Sequence, residues 1–121
     1  MRRPLHCWPL VCLIACSGPD APDAAVCRDV VVRLCQSAAA YSCVAVQLDL
    51  GLSCEATLLQ RTGCEDDAFA FTAPTRERVL ECREVLLSRG MSTDHPPACA
   101  DATRFLTGCP DVAGFFRGSQ P

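Results

Sequence analysis

Cysteine is the residue type here with the widest chemical repertoire. Eleven of the 121 residues are cysteine, at positions 7, 12, 16, 27, 35, 43, 54, 64, 82, 99 and 109. A thiol can ligate metal, exchange electrons, attack an electrophile or form a bridge, and spacing separates these roles. Zinc sites favour ligand pairs two to four residues apart, and thioredoxin-type redox chemistry wants Cys-x-x-Cys. Neither fits: the last eight cysteines never come closer than Cys27 and Cys35, or Cys35 and Cys43, eight positions apart. Bridging is therefore the expected chemistry. At about 9 per cent cysteine a chain this short reads as a disulfide scaffold made in an oxidising compartment, and a domain of this size gains from such staples because its core is thin.

The remaining reactive residues assemble no catalytic set. His95, the only histidine after His6, precedes Pro96-Pro97 and has no acid or hydroxyl partner specified by spacing, so it reads as a loop residue. Glu65-Asp66-Asp67 lacks the alternating oxygen ligands and glycine turn of a calcium loop and reads as a solvated turn or helix start. All eleven basic residues are arginine, which excludes Schiff-base and P-loop lysine chemistry. The arginines are scattered among fourteen acids and form no basic stripe, so nucleic-acid binding is disfavoured. No catalytic residue, metal or cofactor is expected.

The first fifteen residues read as an address. Arg2-Arg3 form a positive start and an apolar run from Leu5 to Ala15 follows, too short to span a bilayer. The twin arginines lack the flanking residues of a twin-arginine export signal. The run ends in Leu13-Ile14-Ala15-Cys16, which resembles the lipobox of bacterial lipoproteins. That resemblance covers the N-terminal sixteen residues and implies cleavage before Cys16 and acylation of its sulfur. Ser17 in the second mature position, where aspartate would favour inner-membrane retention, implies an outer-membrane destination. A single acyl chain binds marginally, and the up to three chains implied make a stable anchor.

Cysteine parity agrees. Removing Cys7 and Cys12 with the signal and committing Cys16 to lipid leaves eight: Cys27, Cys35, Cys43, Cys54, Cys64, Cys82, Cys99 and Cys109. Cleavage upstream of Cys16 without lipidation would leave nine and strand a thiol, whereas cleavage between Asp20 and Ala25 would also leave eight. Ser17 to Ala25, "SGPDAPDAA", has nothing obvious to bury and reads as a solvated tether of roughly 25 to 30 Å. Without the first fifteen residues, nine arginines face fourteen acids, a net charge of −5.

The elements that must position the cysteines read as helices. Cys27, Val30, Val31, Leu34 and Cys35 share one helical face between Val26 and Gln36. Ser53 is placed to cap a helix running to Thr62, closed by Gly63. Thr72 and Pro74 open a third helix with Val79, Cys82, Leu86 and Leu87 on one side and Arg76, Glu77, Glu81 and Glu84 mostly on the other, ending at Gly90. Cys99, Ala102, Leu106 and Cys109 mark a fourth, stopped by Gly108 and Pro110. Val44 to Leu52, "VAVQLDLGL", alternates at period two, but a lone strand has no partner here, so irregular or helical structure is expected. Phe69, Phe71, Phe115 and Phe116 read as core or tail-docking residues, and Phe115-Phe116, if exposed, is the best candidate for a partner surface.

Helix geometry restricts the bridges. Residues eight or ten apart on one helix lie about 12 or 15 Å apart, beyond the roughly 7 Å a disulfide tolerates between α-carbons. Cys27 with Cys35, Cys54 with Cys64 and Cys99 with Cys109 are thereby excluded, and the bridges must join different helices. "CEATLLQRTGC" (54–64) and "CADATRFLTGC" (99–109) share their nine-residue spacing and a Thr-Gly-Cys ending, as an internal duplication would. They resemble twin cysteine-helix hairpins, which implies Cys54 with Cys109 and Cys64 with Cys99.

The expectation is an all-α fold: a small disulfide-stapled bundle of about four helices over residues 26–121, preceded by a lipoprotein signal peptide (1–15) and a lipidated cysteine with a Pro/Asp linker (16–25). The role expected is that of a non-catalytic binding or structural module, on the membrane through the Cys16 lipid and facing an envelope or extracellular protein partner. The alternative is a secreted small effector or inhibitor without lipid.

Overall fold

The computed structural model of the chain describes residues 20–48, 50, 53–87 and 96–118. Among them are six α-helices and one 3₁₀ turn, with no strand. They are α1 (Asp23–Ala40), α2 (Cys43–Gln47), α3 (Cys54–Thr62), α4 (Arg76–Arg83) running into the 3₁₀ turn Glu84–Leu86, α5 (Cys99–Gly108) and α6 (Pro110–Arg117). The four helices expected are α1, α3, α4 and α5; α2 and α6 are additional.

Helix α1 is the axis of the bundle and packs against α2, α3, α4, α5 and the 3₁₀ turn. Its valine run does not make a strand, because Val26, Val30, Val31 and Leu34 fall on one face and are at most 1% exposed, while Val32 points away. Burying each such side chain contributes about 1.5–3 kcal/mol, more than the few tenths by which valine disfavours a helix. The helix is longer than its apolar stripe. Pro22 and Asp23 start it a turn early, proline before and acid within the first turn being favourable there, and three alanines carry it to residue 40.

This corrects the tether. Residues 21–25 are part of the body: Ala21 and Ala24 are each 3% exposed, and α1 begins at Asp23. The folded body thus starts at Ala21 rather than Val26.

Other boundaries follow local chemistry. Gly63 closes α3 in the left-handed conformation, φ 81°, with its N–H donating to the Leu59 carbonyl at 2.8 Å. Ser53 precedes α3 without capping it through its side chain. Helix α4 starts later than Thr72: Thr75 is the cap, its Oγ1 accepting from the Arg78 amide at 3.2 Å. It tightens after Arg83 and gives way to extended backbone at Leu87, while Gly90 lies outside the described residues. Pro110 does more than stop α5, since it occupies the first turn of α6. There its missing N–H costs nothing. The stretch after Cys43 is a single helical turn that buries Val44 and Leu48.

All eight described cysteines are bridged: Cys27–Cys64, Cys35–Cys54, Cys43–Cys99 and Cys82–Cys109, with α-carbons 6.1, 5.7, 6.1 and 6.2 Å apart. The pairing implied by the twin-cysteine resemblance, Cys54–Cys109 and Cys64–Cys99, is corrected. Helix α3 packs on α1 rather than beside α5. Cys54 at its start and Cys64 just past its Gly63 cap meet α1's Cys35 and Cys27 in antiparallel order, outer with outer and inner with inner. The hairpin form is present, built from a different pair of helices. No bridge forms within a helix, as the α-carbon geometry requires.

Candidate functional site

A cluster of phenylalanines lies at the edge of the core. Phe69 and Phe71, on the loop between α3 and α4, meet edge to face with centroids 4.9 Å apart, and Phe115 of α6 lies 6.0 and 5.9 Å from them. All three are half-buried. Phe115 in turn stacks edge-on, at 5.1 Å, against Phe116, which is wholly buried and reaches Phe105 in the core at 6.2 Å. The Phe115-Phe116 pair therefore divides its work: one ring anchors α6, and the other joins a surface cluster with two rings from the loop after α3. The two edge-to-face contacts, Phe69 with Phe71 and Phe115 with Phe116, each contribute about 0.5–1.5 kcal/mol beyond area burial.

Carboxylates hold that loop in place. Asp23, in the first turn of α1, accepts from the Phe71 amide through Oδ2 at 2.8 Å and from Arg76 Nη1 through Oδ1 at 2.7 Å. Partial burial pushes the Asp23 carboxyl up, but the Phe71 amide and the Arg76 guanidinium outweigh it and hold it below its usual range. On the other side of the loop Arg28 pairs with Asp67 and donates from Nε to the Cys64 carbonyl at 2.8 Å. Asp66 turns the chain by accepting the Ala68 amide at 2.9 Å. The acidic run 65–67 is thus turn-forming, as its composition indicates.

A second polar centre is internal. Asp29 on α1 takes Arg33 Nε at 3.0 Å and Arg83 Nη1 at 2.8 Å on the same oxygen, and the Arg83 side chain is only 5% exposed. It ties α1 to α4. On the outer face Arg78 grips both oxygens of Asp111 at 3.0 and 3.2 Å, linking α4 to α6. Bonding to Arg78 draws the Asp111 carboxyl down, and Asp111 with Glu81 raises Arg78.

Among the described residues the partners of Asp23 and Asp29 are a backbone amide and arginines. Among the described residues no three His, Cys, Asp or Glu side chains are grouped to hold a metal ion. His95, Cys7, Cys12 and Cys16 lie outside the described residues. Sequence reasoning named the phenylalanines but not Asp23 and Asp29, the carboxylates that organise them and the core. For Asp23 a signal existed, since Pro-Asp immediately before a helical stripe is an N-terminal pattern. For Asp29 the only sign was Arg33 four residues on.

No protein-family model, curated protein or solved structure matches this chain. Four disulfides in a chain of this size belong to an oxidising compartment, extracellular or in a cell envelope. No helix among the described residues is long and apolar enough to cross a membrane.

Proposed function

We propose that this chain is a lipid-anchored, non-catalytic module of a bacterial envelope, attached to the outer membrane through acylated Cys16 and presenting a disulfide-stapled helical body to an envelope or extracellular protein. The observation that carries this reading is the division of the cysteines. The eight from Cys27 onward are all consumed in bridges within the body. Of the other three, two lie inside the apolar leader and the third, Cys16, stands where the lipobox-like Leu13-Ile14-Ala15 places a lipid acceptor. A secreted form without lipid would leave Cys16 as a lone thiol unless the chain were cut beyond it.

The test is the intact mass of protein extracted from its native membranes, with and without reduction before thiol alkylation. The expected result is an N-terminus at Cys16 carrying acyl chains, with eight thiols alkylated only after reduction. Cys16→Ser should move the protein from the membrane to the soluble fraction. An unmodified N-terminus downstream of Cys16, or thiols reactive before reduction, overturns the reading.

A further inference from the structure

The geometry points to a second membrane contact: the cluster of Phe69, Phe71 and Phe115 is seated at the headgroup boundary of the bilayer that carries the Cys16 lipid. The inference rests on that anchor. The first ground is the length of chain between lipid and body. The folded body begins at Ala21, and Asp20 already sits in the turn leading into it. Only the four steps from Cys16 to Asp20 separate lipid from body, a reach of at most about 14 Å. A body of about one hundred residues has a radius of roughly 16 Å. A surface point held within about 14 Å of a plane cannot turn past the equator of such a body, so the hemisphere around Ala21 faces the lipid. A tether ending at Ala25, reaching about 30 Å, would have allowed nearly any orientation.

The second ground is what that hemisphere carries. Asp23, two residues beyond Ala21, holds the Phe71 amide at 2.8 Å, and Phe71 lies in contact with Phe69 and Phe115. The cluster is therefore at the tethered pole. Tyr41, 42% exposed, lies at the other end of α1, about 27 Å away along the helix axis. Partly exposed phenylalanine rings suit the boundary between headgroups and acyl chains, and here their positions are set by the core through Phe116. Beside them Asp23 pairs with Arg76 and Asp67 with Arg28, while Glu65 and Asp66 are exposed acids on the same loop. With no cationic surplus, the contact is apolar and does not require anionic lipid.

Tryptophan offers the probe, because the chain's single tryptophan, Trp8, lies in the leader. Phe71→Trp and, separately, Tyr41→Trp are introduced into the full-length protein, processed and lipidated in vivo. Each is reconstituted into phosphatidylcholine vesicles with and without lipid brominated near the headgroup. The expected result is that the Phe71→Trp protein loses more than half its indole emission in brominated vesicles and the Tyr41→Trp protein keeps its own. Equal quenching of the two variants, or none for Phe71→Trp in protein that floats with the vesicles, overturns the orientation and leaves the anchor standing. Protein that carries no acyl chain and does not float overturns both. Should Phe71→Trp fail to fold, hydrogen exchange on the unsubstituted protein decides the matter. Amides 68–73 should slow several-fold on vesicles relative to the Cys16→Ser protein, and unchanged rates overturn the contact.

Discussion

Arg83 and Asp29, fifty-four residues apart in the chain, meet through a 2.8 Å hydrogen bond between Nη1 and Oδ2 at one of the least exposed charged sites in the body. The pair is asymmetric, since Asp29 also holds Arg33, so the two ends should respond differently to truncation. Asp29→Ala removes the carboxylate that balances two arginines and should cost about 3 kcal/mol or more, the usual penalty for breaking a buried pair. Arg83→Met leaves Asp29 paired with Arg33 and should cost less than Asp29→Ala. Urea unfolding of the two variants under oxidising conditions measures the difference, and equal losses would contradict the asymmetry.

Acid should loosen the pole around Asp23. Its folded carboxyl is held below the ordinary value of 3.8, so its contribution is complete above the unfolded pKa and disappears as pH falls through the lower folded value. Melting temperature should be flat above about pH 5 and decline below about pH 4. Asp23→Asn should reduce stability at about pH 6 and flatten that decline. Asp111 contributes in the same direction, but with its side chain 49% exposed its share should shrink in high salt more than that of Asp23.

Bridge energies should follow loop length. Cys43–Cys99 closes 56 residues and Cys35–Cys54 closes 19. In the chain-entropy account each contributes about 3 to 4 kcal/mol, with the longer loop favoured by about 1 kcal/mol. Replacing both cysteines of each pair by alanine and comparing unfolding midpoints tests the order. Peptide mapping without reduction should return the four pairs seen here and neither Cys54–Cys109 nor Cys64–Cys99.

Gly63 should resist substitution for conformational reasons alone. A Cβ there would meet nothing within 4 Å, yet the residue sits at φ +81°. Gly63→Ala should therefore cost about 1–2 kcal/mol, read as a fall in melting temperature, with no change in the bridge pattern.

Much of the architecture was legible because short-range physics governs it. The α1 stripe, the α3 stop at Gly63 and the break before α6 each follow from residues within one turn of where they act. The bridges were only half legible. Helix rise excludes Cys27–Cys35, Cys54–Cys64 and Cys99–Cys109, but which helix α3 lies against depends on the packing of Leu58 and its neighbours with α1, and no periodicity carries that. Helix α6 was hidden because Pro110 reads as a stop when viewed from α5 and as a start only when viewed from Val112 and Phe116. At the aromatic pole the rings were visible in the sequence, while their convergence was not. It depends on Asp23 reaching a backbone amide forty-eight residues away.

The order of the bridges along the chain bears on how the protein is made. No native bridge joins two consecutive cysteines of the body: Cys35–Cys54 encloses Cys43, which must wait for Cys99. A chain crossing a membrane N-terminus first, and oxidised pairwise as each thiol emerges, would reach its far side with every bridge wrong. Maturation therefore demands either delayed oxidation or thiol–disulfide exchange after export. Where oxidation keeps pace with export, a host without disulfide isomerase activity should yield a mixture of isomers in place of one folded species.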